Sequence, residues 1–316
     1  MAIEKVAAKV NIIGRSNGVG LDQDVIVLQK ALESVNVTSQ FSHSRSISLW
    51  NCFVKSQNSC LVNIHLERIH RRWLNTAPVN LLIPNQERFP KRQIRLLGSI
   101  DKVLCKTKEA KRIFTGLNCP TDYIGFSSVD FFDENVVRRR QFIHLAGRST
   151  LKGTDKVIAA WKRRPDWPEL LVIMHGVETR MEGNIFWRGD YISQDELQML
   201  CNEYVYHLCP SESEGWGHYI NQAMSVSALV VTTNAPPMNE IVCAEAGLLV
   251  DVESSYSRNL GECYIVDSGS LEKTIDLALD LDDQKLNAYR AFARDRFNSF
   301  EMNLSLNLLN SLKDYI

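Results

Sequence analysis

The chain has 316 residues, 45% hydrophobic and 23% charged, with 36 Lys and Arg against 37 Asp and Glu and a net charge of −1. That is ordinary globular composition, which excludes a low-complexity chain, and the length suggests two domains of about 100–200 residues each. No stretch reaches the roughly 18 apolar residues of a membrane span, and the opening MAIEKVAAKVNIIG lacks the apolar core of a secretory signal, so a cytoplasmic protein is expected.

The elements alternate from the start. VNIIG (10–14) reads as a strand, followed by the glycine-containing loop GRSNGVG (14–20) and a helix through Val25–Leu32. CLVNI (60–64) is a second strand, and LERIHRRWL (66–74) reads as a short helix with apolar Leu66, Ile69, Trp73 and Leu74 and basic Arg68, Arg71 and Arg72. VNLLI (79–83), KVLC (102–105) and Tyr123–Ile124 continue the series. The charged stretch FFDENVVRRR (131–140) reads as a linker, and its arginine run as linker surface.

After it the rhythm restarts with a strand at FIHLAG, a helix at Lys156–Trp161 and a strand at LLVIM (170–174). A helix at Asp195–Asn202, a strand at YVYHL (204–208), a helix from about Trp216 and a strand at ALVVTT (228–233) follow. From Leu271 onward the pattern is helical, with DLDD (280–283) as a helix boundary. Such β-α-β alternation predicts an α/β chain of two Rossmann-like domains facing across a cleft, with ligands beyond the carboxyl ends of the strands. The expected division is 1–135, 136–300 and a C-terminal helix at 301–316 that crosses back to the first domain.

Eight cysteines are scattered without a C-x-x-C pair, which reads as buried reduced thiols rather than a metal site or disulfide framework. Charge is unevenly spread: residues 1–133 hold 18 Lys and Arg against 11 Asp and Glu, +7, leaving −8 for the remainder. A basic half attracts an anionic partner, or is simply a solvated face. The basic side of 66–74 would suit peripheral contact with an anionic membrane; a core-packed helix is the alternative. No aromatic-rich stretch suggests base stacking, which argues against nucleic acid as a partner.

Two segments carry chemistry. In HLCPSESEGWGHYINQAMSVSALVVTTNAPPMNEIV (207–242) a buried strand ends at Pro210, and a polar loop carries Glu212 and Glu214. Gly215 and Gly217 flank Trp216 at a helix start, where free N–H groups favour an anion such as a diphosphate. In AGRSTLKGTDKVIAAW (146–161), Arg148 and Lys152 lie between a strand end and a helix, a forked donor set and a point charge suited to the same diphosphate. The loop at 14–20 is not a G-x-G-x-x-G fingerprint, which disfavours a dehydrogenase.

The ordered series P-S-x-x-E-G-x-G, A-M, V-V-T-T, P-x-x-E-I-V and G-L-L-V resembles the donor half of family 4 glycosyltransferases of the GT-B fold, close to a bacterial subgroup of sugar transferases. The likeness is strong over 141–252 and thinner over 1–130. It implies a retaining transfer from a nucleoside-diphosphate sugar to a hydroxyl acceptor, without a metal or other cofactor. Glu214 would lie near the donor sugar and its phosphate, and Arg148 and Lys152 would neutralise the leaving diphosphate. Gly215, Gly217, His218, Tyr219 and Glu240 fall on the donor-binding stretch. The second acidic position of the family's E-x7-E motif is Gln222 here, a departure that weakens the expected ribose contact.

On the acceptor side the resemblance places Asn17, Gly18 and Gly20 at the cleft. The family's histidine after the third strand is replaced by PNQERF (84–89), leaving Asn85, Gln86, Glu87 and the earlier His65 as candidates. Alternatives are a catalytically weak nucleotide-sugar-binding protein, motivated by Gln222, a transferase acting on modified nucleic-acid bases, or a sugar-nucleotide epimerase, for which no catalytic set is assignable.

Overall fold

The computed structural model describes residues 9–16, 18, 20–48 and 60–316. It divides into two compact units: Met1–Val129 with Arg258–Gly261 and Phe300–Ile316, and Asp130–Ser257 with Glu262–Ser299.

The first unit is built on a six-stranded parallel sheet in the order β2-β1-β3-β4-β5-β6, with β1 Val10–Gly14, β2 Ser39–His43, β3 Val62–Glu67, β4 Val79–Pro84, β5 Lys102–Cys105 and β6 Thr121–Tyr123. Helices α1 (Gly20–Glu33) and α2 (Lys108–Gly116) belong to it. The central strands are buried along their length, which is why they read as continuous apolar runs. Ile69, Leu82, Phe89, Leu97, Val103 and Phe114 form one core, with Phe89 and Phe114 edge to face at 5.4 Å.

Polar residues also cross this sheet. Asn11 pairs in register with Asn63, and Asn63 with Asn80. Asn11 Nδ2 donates to Asn63 Oδ1 at 3.4 Å, and Asn63 Nδ2 donates to Asn80 Oδ1 at 3.2 Å and to the Trp73 carbonyl at 2.7 Å. These amides bond to one another across the strands, and a slip of one residue would break the seam.

The helix expected at 66–74 does not form. Strand β3 continues through Glu67, whose φ of 65° turns the chain, and only Arg71–Trp73 makes a 3-10 turn. The apolar spacing reflects a strand end and a turn that bury Leu66, Ile69 and Trp73 together. Arg68 pairs with Glu67 at 2.9 Å, and Arg72 donates to the Ile47 carbonyl at 3.3 Å. An amphipathic helix for a membrane surface is therefore absent from this segment. Among the described residues no helix is long and apolar enough to cross a membrane.

The second unit has a seven-stranded sheet, β13-β12-β11-β7-β8-β10-β9, parallel except for β9. Its strands are β7 Arg139–Gly147, β8 Leu170–Met174, β9 Arg180–Glu182, β10 Ile185–Arg188, β11 Tyr204–Cys209, β12 Leu229–Thr233 and β13 Gly247–Val250. Around it lie α3 (Thr154–Arg163), α4 (Gln194–Glu203), α5 (His218–Ser225), α6 (Met238–Ile241) and α7 (Ser268–Asp280). Phe142 stacks on Tyr206 at 4.6 Å and meets Trp161 edge-on at 5.1 Å in the core. The supposed linker is part of this unit: Arg139 and Arg140 open β7, and Arg138 donates to the Val226 carbonyl at 2.6 Å.

A hairpin of β14 (Val252–Arg258) and β15 (Gly261–Val266) follows. The 30-residue helix α8 (Asp283–Leu312) passes from one unit to the other at Ser299 and Phe300, burying Ala293 and Phe297 in the second and Leu304, Leu308 and Leu312 in the first.

His144 on β7 and His207 on β11 are wholly interior. Burial holds both near a pKa of about 4, against the ordinary 6.5. Between those values the unfolded chain binds the protons, so the stability these two histidines contribute is complete above about pH 6.5 and is lost as pH falls toward 4. Each histidine is expected to contribute about 3 kcal/mol across that window. Denaturant unfolding at about pH 7 and about pH 4.5 measures the loss, and His207→Gln should reduce it.

Candidate functional site

The second sheet reverses its strand order at β7, which pairs with β8 on one side and β11 on the other. Ligands of open α/β sheets bind at such a switch point, beyond the carboxyl ends of the strands. The ends here are Gly147 and Cys209, and the loops leaving them are the two segments singled out from the sequence.

The loops touch closely. Glu212 N donates to the Leu151 carbonyl at 2.9 Å. Gly153 caps α3 with φ 65°, and a Cβ there would lie 2.3 Å from the Pro210 carbonyl oxygen. Glycine is required on both counts, and Gly153→Ala is expected to cost about 2 kcal/mol or more, read in a thermal melt. Thr154, next in the chain, donates its hydroxyl to His144 Nε2 at 2.8 Å, since His144 Nδ1 donates to the Leu208 carbonyl at 2.9 Å. His144 was not legible as a site residue because it sits inside a strand; here it ties the start of α3 to the sheet.

This packing brings three sequence candidates together. Lys152 Nζ is 2.7 Å from Glu214 Oε1 and 3.3 Å from the centre of the Tyr219 ring. Ser211 Oγ donates to the same Glu214 oxygen at 2.6 Å and lies 2.6 Å from the Tyr219 hydroxyl. The Lys152 and Glu214 side chains are 17% and 15% exposed, so the pair is largely shielded from water but reachable. Arg148 is exposed in the turn after β7 and makes no hydrogen bond or ion pair with a described residue.

Helix α5 starts at His218, two residues later than the sequence suggested, because Gly217 takes φ 85° as its cap. A Cβ at Gly217 would lie 3.1 Å from Ile220 Cδ1 and 3.3 Å from Glu214 Cγ. Gly215 is buried beside it, and His218 is half-buried at the helix start. Gln222, one turn on, is only 5% exposed, and Glu240 is half-buried in α6.

Arginines hold the far ends of these helices. Arg294 donates to the Ser225 carbonyl at 2.7 Å and pairs with Asp130, and Arg290 donates to the Ser227 carbonyl at 2.8 Å. Arg296 donates to the Glu240 and Ile241 carbonyls, both at 2.7 Å. Cations at helix C-termini satisfy the last carbonyls and complement the negative end of the helix dipole.

The first unit treats its candidates differently. Asn17 lies outside the described residues. Gly18 has φ 73°, and its N–H donates to Asp22 Oδ2 at 2.6 Å; Gly20 opens α1. His65 is fully buried, with Nδ1 accepting from the His70 N–H at 3.1 Å and Nε2 donating to Asn80 Oδ1 at 3.2 Å. Burial holds it down to about 4, so it is a neutral member of the sheet's polar seam. Asn85 Oδ1 accepts from Lys106 Nζ at 3.3 Å.

Gln86 and Glu87 are 2% and 4% exposed. Their carbonyls accept from Leu260 N at 3.2 Å and Asn259 Nδ2 at 2.7 Å, so they seat the tip of the β14–β15 hairpin.

One feature of this unit escaped the sequence. Lys106 Nζ lies 2.7 Å from both carboxylate oxygens of Asp24 and 4.4 Å from the Phe126 ring centre. The two side chains are 2% and 3% exposed. No sequence signal links residues 82 positions apart on a helix and a loop. Among the described residues no group of three or more His, Cys, Asp or Glu is placed to hold a metal ion.

No family model matches the chain, and no curated protein matches it in sequence. Solved structures match its fold. Sucrose-phosphate synthase from Thermosynechococcus elongatus superposes with a TM-score of 0.70 at 12% identity, covering 96% of this chain and 98% of that one. A glycosyltransferase from Rickettsia africae gives 0.70 at 14% identity over 98% of each chain. The Anabaena HepE protein, in complex with UDP and glucose, gives 0.69 at 12% identity over 97% of this chain and 100% of its own. With two Rossmann-like units on parallel sheets and this likeness along nearly the whole chain, the protein has the GT-B fold.

Proposed function

We propose that the chain is a retaining glycosyltransferase of the family 4 type, moving a sugar from a nucleoside-diphosphate sugar to a hydroxyl acceptor. The observation that carries the reading is Lys152 beside Glu214, with Arg148 on the same loop, at the switch point of the second sheet and next to the N-terminus of α5. Cations and helix N–H groups there suit a diphosphate, and Glu214 suits sugar hydroxyls.

In this reading the acceptor oxygen bonds to the anomeric carbon on the face the leaving group departs. The bond from that carbon to the β-phosphate oxygen breaks, its electron pair stays on phosphate, and the acceptor proton passes to that oxygen. Charge grows on the β-phosphate as the bond breaks, so preorganised cations favour the transition state over the bound donor. Lys152 and Arg148 supply that charge without a divalent ion. The fold relatives solved with UDP and glucose or with UDP-2-fluoro glucose make UDP-sugars the first donors to try.

The test is release of nucleoside diphosphate from a panel of UDP-, GDP- and ADP-sugars by purified protein, with calorimetry of the free diphosphates. Turnover that falls in Arg148→Ala and Glu214→Ala supports the reading. Neither binding nor release across the panel overturns it. Binding without turnover favours the weak-donor-binding alternative that Gln222 motivates.

A further inference from the structure

Lys152 does not rest on Glu214 alone. Its ammonium stands over the face of Tyr219 at 3.3 Å from the ring centre, in the first turn of α5. Ser211 has one hydroxyl proton and gives it to Glu214 Oε1 at 2.6 Å. The 2.6 Å contact between Ser211 and Tyr219 must then run from the phenol O–H to Ser211 Oγ. A chain results: Tyr219 to Ser211 to Glu214, with Lys152 closing it from ring to carboxylate.

Burial, Cys209 and Glu214 push the Tyr219 phenol well above its usual value, so the ring stays neutral and the donor direction is kept. The backbone around the chain is equally fixed. The Thr233 hydroxyl donates to the Ser211 carbonyl at 2.6 Å, and Gly153 leaves room for Lys152's turn to meet Pro210.

We propose that Tyr219 is a positioning residue for Lys152, its ring face holding the ammonium where a donor diphosphate meets it, while Glu214, itself held by Ser211, pairs with that ammonium until a donor binds. The inference rests on the glycosyltransferase reading and adds to it the residue that aims the cation. A cation over a desolvated aromatic face is held electrostatically by the ring quadrupole, at a defined distance and without using up all of its N–H donors. Donor binding then exchanges Glu214 for phosphate, and the ring keeps the ammonium in place through the exchange. Glu214 is freed at the same moment for the sugar hydroxyls.

The test separates the ring from the hydroxyl. Tyr219→Phe should keep donor turnover within about threefold, while Tyr219→Leu should lower kcat about tenfold or more. In a Lys152→Met background, Tyr219→Leu should change kcat little further, because the two residues act as a unit. Additive losses would show that Tyr219 acts only through packing. Should the leucine variant fold poorly, mono-, di- and trifluorinated phenylalanine at 219 keeps the ring's shape while draining its face. A stepwise fall in kcat along that series supports the inference, and a flat series overturns it. Calorimetry of UDP on the wild type keeps the two readings apart. No diphosphate binding by the wild type overturns the transferase reading, whereas normal binding and turnover with a flat series overturns only the role of Tyr219.

Discussion

Replacing Lys152 with alanine is expected to lower the rate of donor turnover about 10²–10³-fold, the loss seen when one preorganised transition-state donor is removed. Two features of the structure point to an effect of that size. The ammonium already stands 3.3 Å from the centre of the Tyr219 ring, which keeps it in place when Glu214, at 2.7 Å, gives way to the donor phosphate, so little ordering is needed when charge develops. The side chain is only 17% exposed, which limits screening by water.

The loss should fall mainly on kcat, because the cation matters most once the diphosphate is leaving. Lys152→Arg should restore only part of the rate, since the longer, planar guanidinium presents its donors at other positions than a compact ammonium does. Lys162→Ala, on the exposed side of α3 where it pairs with Glu182, is the control and should leave kcat unchanged. Steady-state assays of the three variants decide the matter. A Lys152→Ala enzyme within about threefold of wild type would remove this loop from the chemistry.

The largest stability effect is expected at Lys106. Its partner Asp24 is equally buried, and cutting either side chain back to alanine leaves a charge inside the protein without its counter-ion. Such a loss costs about 3–5 kcal/mol, far more than a surface pair of the same length. Replacing both together, Asp24→Leu with Lys106→Met, should restore most of the stability, because the costly state is the lone charge rather than the absent pair. Urea unfolding of the two single variants and the double variant tests this. Additive losses in the double variant would mean that the pair contributes through its surroundings, the Asn85 amide and the Phe126 face, more than through charge.

The legible parts of the molecule were those whose signals are local. Buried parallel strands announce themselves as short apolar runs, and the second unit's loops combine charge with glycine at sites where the backbone leaves no choice, Gly153 and Gly217. The misread stretch at 66–74 has the spacing of a helix face, but the left-handed turn at Glu67 is invisible in composition. Strand β14 escaped because every residue in VESSYSR is exposed, so nothing alternates. The polar seam of the first sheet did leave a trace. The dipeptide Val-Asn recurs in β1, β3 and β4, at 10–11, 62–63 and 79–80, and parallel pairing in register stacks the three asparagines. Of the acceptor candidates, Gln86 and Glu87 follow β4, and what the sequence did not reveal is that their backbone carbonyls accept from residues 259–260.

The route of α8 has a consequence for how the polypeptide comes into being. The first unit is not a continuous length of chain. Lys30 pairs with Glu301 at 2.5 Å and Ser34 with Ser305 at 2.9 Å, each across 271 positions, and Leu304, Leu308 and Leu312 complete its interior. During synthesis the strands from Val10 to Tyr123 emerge long before those partners exist, so the interior that Leu304, Leu308 and Leu312 complete stays open while the whole second unit is made. Contacts of such high sequence separation fold slowly and leave apolar surface open to aggregation on a ribosome that adds about 5–20 residues per second. The order of translation and the order of completion are therefore reversed: the half that is made first is finished last.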